Sequence, residues 1–297
     1  MPILNRRQFL GAGAVTAAAA CPLLSGRAWA SSTQRPVGIQ LYTVSASLQR
    51  DVSGTLRQIR NIGYTEVETA GLAGLTAVEF RHRLDEADLK CHSAHLQVGL
   101  TDREQAFADA STLGAHYVVS SALFPPHSSG LPDADGYRQM ADRVNEMAQQ
   151  ARHAGLQYAY HNHNFEFRKV DGDKTGYDVL LEHTDPAVVD LELDCGWMIA
   201  AGYDPVQYLK RYPRRYRMLH IKDFVAGSKI SVSLAPDLRP KGTELGRGHI
   251  DYRPILNTAA HIGIAYYYVE QEPPFPDMTD LDAARVDFDY LHPLLAG

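Results

Sequence analysis

The chain has 297 residues, 45% of them hydrophobic and 22% charged, with a net charge of −6. That length is enough to bury a full core, and barrels of about 250 residues commonly form a single domain. A mildly acidic chain has no general electrostatic claim on nucleic acid or on an anionic membrane.

The first element is a targeting segment. Asn5-Arg6-Arg7-Gln8-Phe9-Leu10 is a twin-arginine pattern, followed by a small, apolar run from Gly11 to Leu24 and by Ala28-Trp29-Ala30, a small-x-small cleavage site. The run is too short to span a bilayer, so residues 1–30 read as a removable export signal and not as a membrane anchor. Lipid attachment at Cys21 is disfavoured because Ala18-Ala19-Ala20 lacks the expected Leu. Cleavage would leave Cys91 and Cys195, which read as two buried thiols more readily than as a bridge, although an oxidising compartment would permit one. A periplasmic or otherwise exported protein is expected, and the twin-arginine route carries passengers already folded.

The remaining chain, 36–297, alternates short apolar runs with helical patterns. Strands are predicted at Val37–Tyr42, Thr65–Glu68, Leu89–His95, His116–Ser120, Leu156–His161, Val188–Asp194, Arg217–Ile221 and Ala265–Glu270. Helices are predicted over about 52–62, 76–87, 103–113, 135–154, 177–183, 205–212, 252–261 and 280–291, several ended by a glycine such as Gly63, Gly114 or Gly155. Eight such alternations predict one (β/α)8 TIM barrel, a single α/β domain. An open doubly wound sheet would show a glycine-rich turn after its first strand; here Thr43-Val44-Ser45-Ala46 follows. The longest irregular stretch, Phe224–His249, belongs to the catalytic face of such a barrel.

Four consecutive strands end in ligand-type residues: His161-Asn162-His163, Glu192-Leu193-Asp194, His220-Ile221-Lys222-Asp223 and Glu270-Gln271-Glu272. In a barrel these ends converge on one axis. Two imidazoles and two carboxylates suit one divalent Mn, Co, Zn, Fe or Ni better than Mg or Ca. Strand alternation puts His161 with His163, Glu192 with Asp194, and His220 with Lys222 on one side each, so the residues alone leave open which member of each pair would be the ligand. Asp223 and Glu272 fit structural roles, capping or pairing with Arg. Gln40, Glu68 and His95 sit at other strand ends and would face a substrate. Tyr42 and Trp197 could stack on a sugar ring or simply pack.

These motifs resemble the sugar phosphate isomerase/epimerase superfamily, the xylose-isomerase-like barrels. The resemblance runs from Val37 to the C-terminus. It rests on Gly38-Ile39-Gln40-Leu41-Tyr42, His161-Asn162-His163, Leu193-Asp194-Cys195-Gly196-Trp197, Leu219-His220-Ile221-Lys222-Asp223, Leu245-Gly246-Arg247-Gly248-His249-Ile250-Asp251 and Val269-Glu270-Gln271-Glu272. It implies metal ligands at Asp194, His220 and Glu270, with His161 standing where many members carry Glu. Trp197 stands where members often carry a His that contacts substrate. Both departures weigh against a strict two-carboxylate epimerase.

The resemblance implies proton abstraction beside a carbonyl, with Glu270 as base and Lys222, Glu166 or His163 as acid. Gln40, Glu68, His95 and Trp197 would bind the substrate, an unphosphorylated sugar. A metal-dependent keto-sugar isomerase or epimerase is the first expectation. A lyase of the same fold, dehydrating an inosose or eliminating from a 3-keto-glycoside, is the alternative. A non-catalytic sugar-binding protein stands third. No nucleic acid and no membrane span is expected, and the sequence leaves a homo-oligomer open.

Overall fold

Eight parallel strands close on themselves, each hydrogen-bonded to the next in sequence and the last to the first. The computed structural model describes residues 35–96, 102–121, 123, 130–233, 235, 237–275 and 277–296. The expected export signal, residues 1–30, lies outside the described residues. Numbering the barrel strands alone, these are β1 (Gly38–Gln40), β2 (Glu66–Ala70), β3 (Lys90–His95), β4 (Tyr117–Ser121), β5 (Gln157–His161), β6 (Val189–Asp194), β7 (Tyr216–Ile221) and β8 (Tyr266–Val269). The predicted (β/α)8 barrel is therefore the observed fold.

Local sequence explains where the surrounding helices start and stop. Helix α1 (Ser45–Arg50) leads into α2 (Val52–Ile62), which Asp51 caps through Gly54 N and Gly63 ends at φ 131°. Helix α3 (Ala77–Glu86) opens on a Thr76/Glu79 capping box. Helix α4 (Arg103–Leu113) is capped by Asp102, and α5 (Ala134–His153) by Asp133. Helix α6 (Gly176–His183) repeats the box with Thr175 and Asp178. Helices α7 (Cys195–Ala200), α8 (Pro205–Arg211), α9 (Arg253–Ile262) and α10 (Asp280–Leu295) complete the ring. No helix among the described residues is long and apolar enough to cross a membrane.

Alternation along the strands sends one set of side chains into the barrel and the other toward the helices. Tyr117, Val119, Ala159, Met218 and Tyr268 form one buried cluster. They share strand parity with His161, His220 and Glu270, which places the cluster inside the barrel beneath those residues. Gly38 is the register partner of Tyr268. A Cβ there would lie 2.4 Å from the Tyr268 ring, so only glycine leaves room for it. The larger core lies between sheet and helices and includes Ile39, Val67, Leu193, Leu219 and Val269.

The structure corrects several expected boundaries. The run Val37–Tyr42 is a strand only over Gly38–Gln40, because the Gln40 side chain accepts from Tyr42 N, 2.9 Å away, and turns Leu41–Val44 into a 3-10 helix. Helix α7 was not expected. It begins directly after β6 with Asp194 as its N-cap, and its buried sequence has no polar face to mark it. Small hairpins at Lys169–Asp171/Lys174–Thr175 and Asp223–Phe224/Gly242–Thr243 were also missed; each pairs two or three residues.

Candidate metal centre and active site

The polar strand ends meet at the C-terminal mouth of the barrel. His161 ends β5, Asp194 ends β6, His220 is the penultimate residue of β7, and Glu270 follows β8. One ligand atom from each lies within 4.8 Å of the other three, and all four residues are buried. First-row divalent ions hold such ligands at about 2.0–2.2 Å, so donors across one ion stand roughly 4 Å apart. Small side-chain adjustments would close the set. Within each strand-end pair, His161 and His220 face this cluster, and so does Asp194.

The donors also fit an ion chemically. Asp194 Oδ1 accepts from Trp197 N at 2.7 Å, which fixes the carboxylate. Asp194 Oδ2 is fully buried and makes no hydrogen bond; it faces the Lys222 ammonium at 3.1 Å and His161 Nε2 at 4.0 Å. Burial pushes the Asp194 carboxyl up to about 7, against the pull of Lys222. That oxygen has the Lys222 ammonium beside it but no hydrogen bond, and a bound divalent ion would supply the coordination it lacks. Two nitrogens and two carboxylates favour a first-row transition ion or zinc over Mg.

Beneath this set lies a second carboxylate layer. Glu192 Oε2 is 3.1 Å from His161 Nδ1 and 3.2 Å from His220 Nε2. Glu68 Oε2 is 3.4 Å from His220 Nε2, while Glu68 Oε1 accepts from Gln40 Nε2 at 2.8 Å and faces His95 Nδ1 at 3.3 Å. Glu68, Glu192 and His220 can also be drawn as a three-residue metal group. Burial raises the Glu192 carboxyl, and the Glu68 charge raises it further. Burial pulls the His220 imidazole down, but Glu192, Glu68 and Glu270 outweigh it and hold it well above an ordinary histidine.

Lys222 is the cationic counterpart. It is 1% exposed, and its Nζ lies 2.7 Å from Glu270 Oε2, 3.1 Å from Asp194 Oδ2 and 3.1 Å from Glu272 Oε1. Burial opposes its charge, but Asp194, Glu270 and Glu272 hold it above an ordinary lysine. Burial likewise opposes the Glu270 charge, yet Lys222 and His220 hold that carboxyl well below the usual range. Gly196 permits the arrangement, since a Cβ there would meet Lys222 Cγ at 2.3 Å. The ammonium also sits 4.7 Å from the Trp197 ring centre, with the Arg239 guanidinium at 5.1 Å. Arg239 reaches this place from the long loop and pairs with Glu272 at 2.7 Å.

The other predicted residues separate into two groups. His163 lies beside the cluster, its ring 4.9 Å from that of His161, with Nδ1 buried and unpartnered. Burial, and then Lys222, lower its imidazole to about 4, so it is neutral at pH 7. Glu166 is turned away: its oxygens accept from Tyr160 Oη at 2.8 Å and His163 N at 2.9 Å. It braces the turn after β5. Trp197 is 2% exposed and packs on Phe224. Tyr42 is exposed. Cys91 and Cys195 are buried free thiols.

Asp223 has a different task from the residues around it. Its carboxylate accepts from Phe224 N, Gly246 N, Gly248 N, His249 N and Ile250 N, at 2.9–3.2 Å. Leu245 N is held by Asp287 at 2.7 Å. The far end of the long loop is thus wrapped around one buried anion. Glycine at 248 is required, because a Cβ would sit 2.1 Å from Asp223 Oδ1.

Known proteins agree with this architecture. The sequence profile of the xylose isomerase-like TIM barrel matches residues 56–291. An inosose dehydratase from Lacticaseibacillus casei is 25% identical over 250 residues, covering 71% of this chain and 79% of that protein. A sugar phosphate isomerase/epimerase from Parabacteroides distasonis, 24% identical, superposes with a TM-score of 0.70 over 89% of this chain and 97% of that one. The IolI protein, solved with a bound zinc atom, is 16% identical with a TM-score of 0.65, covering 88% and 98%.

Proposed function

The chain belongs to the xylose isomerase-like TIM barrel family, and within it we propose a metal-dependent carbon–oxygen lyase acting on an uncharged keto-sugar or keto-polyol. One observation carries the reading: Lys222 contacts Glu270 at 2.7 Å beside the four-residue cluster of His161, Asp194, His220 and Glu270. The relative called inosose dehydratase, matched over most of its length, supports a lyase.

His161, Asp194, His220 and Glu270 would hold one divalent ion. That ion would supply Lewis acidity toward a substrate carbonyl. Glu270, kept ionised by Lys222, takes the proton from the carbon beside the carbonyl. The electron pair left there forms the new double bond and expels the oxygen substituent on the next carbon. Lys222 gives that leaving oxygen its proton. The proton on Glu270 then crosses the 2.7 Å contact to Lys222 and restores both groups. The balance is one C–H and one C–O bond broken, one double bond formed, and water or an alcohol released.

The cations at the mouth support an uncharged substrate. Lys222 is engaged by three carboxylates and Arg239 by Glu272, which leaves neither of them free for a phosphate. The N-terminal pattern at Arg6-Arg7 supports the same view, because an exported enzyme would meet unphosphorylated sugars.

A second reading, epimerisation or isomerisation, is favoured by His163, a neutral imidazole with a free nitrogen beside the cluster. It could return a proton to another face or carbon. Proton NMR in deuterated water, with zinc- or manganese-loaded protein and both 3-keto-glycosides and unphosphorylated keto-sugars, separates the two. Release of an aglycone or water is expected. Deuterium entering a recovered or inverted sugar without release would favour the second reading. Neither outcome, with metal bound, would sink both and leave sugar binding alone. Lys222→Met should slow release about 10²–10⁴-fold, and it should slow exchange as well, because it removes the cation that keeps Glu270 ionised.

A further inference from the structure

We propose that Glu192 is the positioning residue for both histidines of the metal centre, its single Oε2 fixing His161 to bind through Nε2 and His220 to bind through Nδ1. The inference rests on the metal reading above and concerns a residue that would not itself be a ligand. Glu192 Oε2 lies 3.1 Å from His161 Nδ1 and 3.2 Å from His220 Nε2. The other nitrogen of each ring points toward the cluster: His161 Nε2 faces Asp194 Oδ2 at 4.0 Å, and His220 Nδ1 faces Glu270 Oε2 at 3.2 Å.

The two rings are 4.6 Å apart, centre to centre. A neutral imidazole binds metal through its unprotonated nitrogen, and the hydrogen bond of the other nitrogen decides which one that is. Here one carboxylate oxygen lies close to both nitrogens: it hydrogen-bonds His161 Nδ1 at 3.1 Å, and at His220 Nε2 it stands 3.2 Å away beside Glu68 Oε2, the hydrogen-bonding partner at 3.4 Å. Glu192 therefore favours opposite tautomers on β5 and β7, the two strands that flank its own.

The backbone is built for this placement. His161 and Glu192 are direct register partners between β5 and β6. On the other side of β6, pairing with β7 slips by one residue between Leu191 and Glu192. Such irregularities re-aim side chains next to active sites. Glu68, the other carboxylate on His220 Nε2, also follows a register slip, between Val67 and Glu68 in the β2–β3 pair. Glu192 is 0% exposed, and an acid so deeply buried needs a task that offsets its desolvation. Orienting two ligands is such a task; Glu68 supports only one ring of the pair, at 3.4 Å.

The test uses the full folded chain loaded with zinc or cobalt(II), comparing wild type with Glu192→Gln, Glu192→Leu and His220→Ala. Zinc affinity is measured by chelator competition, ring tautomers by 15N-histidine NMR, and coordination by the cobalt absorption spectrum. Wild type should bind one ion, with Nδ1–H on His161 and Nε2–H on His220. Glu192→Leu should weaken zinc binding about 10–100-fold, lose the single tautomer on His161, loosen that of His220, which Glu68 still holds at 3.4 Å, and alter the cobalt spectrum. Glu192→Gln, which keeps an acceptor oxygen but loses the charge, should fall between, and it keeps the question answerable if the Leu variant does not fold.

Unchanged affinity and tautomers in both Glu192 variants would overturn the inference while leaving the metal centre intact. So would two zinc ions per chain with the second lost in Glu192→Gln, since Glu192 would then be a ligand. If His220→Ala binds zinc as tightly as wild type, the metal reading itself fails, and this inference with it.

Discussion

Single side chains at the mouth of this barrel carry opposite electrostatic instructions within a few ångströms. Glu270 is held ionised by Lys222 and His220, whereas Glu166, one turn below His163, is pushed up to about 7, chiefly by burial. The sign of the second shift makes a stability prediction. Between its ordinary value of 4.5 and about 7, Glu166 keeps a proton in the folded chain that the unfolded chain gives up. Its contribution is fully present below pH 4.5 and is lost as the pH rises through 7, by about 3 kcal/mol in total. Glu166→Gln removes this group while keeping partners for Tyr160 and the His163 amide. Denaturant unfolding at pH 5 and pH 8 should show wild type losing about 2.5 kcal/mol more stability than the variant, since part of the change lies below pH 5; parallel losses would refute it. At this scale sequence reading reached the right residues and stopped at their geometry. Alternation could not choose between His161 and His163, because both leave β5 on one side, and only the turn after the strand separates them. Glu166 looked like an acid from its place beside the motif, while its hydrogen bonds to Tyr160 and His163, six and three residues away, depend on the shape of that turn, which no pattern of residue types specifies.

Elements set how much of the site was legible. The eight strands could be read because each is an apolar run that turns polar at its end, and the helices from their apolar spacing and from Gly63, Gly114 and Gly155 that end them; the caps Thr76, Asp102 and Asp133 are seen only in the structure. Helix α7 could not be, since its N-cap is the side chain of the ligand Asp194 and its residues are nearly all buried. The long loop shows the same limit. Its sequence has no helical or strand period, yet its order comes from Asp223, which gathers five backbone N–H groups. Charge-assisted hydrogen bonds of this kind are stronger than neutral ones. Asp223→Ala should therefore cost on the order of 3 kcal/mol and free residues 225–249 from the barrel rim. Because Arg239 rides on this loop and reaches Glu272, the change should raise KM more than it lowers kcat. Limited proteolysis should cut the variant inside 225–249 well before wild type, with Asp223→Asn intermediate. Equal cutting rates would show that Arg239 and Asp287, not Asp223, hold the loop.

The whole molecule brings acidic strand ends together because eight parallel strands all point their C-termini to one mouth. Glu68, Glu192, Asp194 and Glu270 are then buried around two histidines and one lysine. Lys222 faces Asp194 and Glu270, and Glu192, Glu68 and Glu270 hold the His220 imidazole well above an ordinary histidine, so without an ion two cationic groups stand against four buried carboxyl groups. Such a cluster is a destabilising feature of the fold on its own, and a bound divalent ion would offset it. A ligand at 100 times its dissociation constant, binding only the folded chain, adds about 2.7 kcal/mol. For a domain of this size one kcal/mol moves the melting temperature by about 2–4 °C. Chelation should thus lower the melting temperature by roughly 5–10 °C, and zinc, manganese or cobalt should restore it, with magnesium weaker because two of the donors are nitrogens. The restoration should vanish in His220→Ala, which removes the imidazole shared by both carboxylate layers. Asp223→Ala should retain it, since the loop anchor lies outside the ligand set. A melting temperature indifferent to chelator and to all these metals would mean that Lys222 and His220 alone balance the mouth of the barrel.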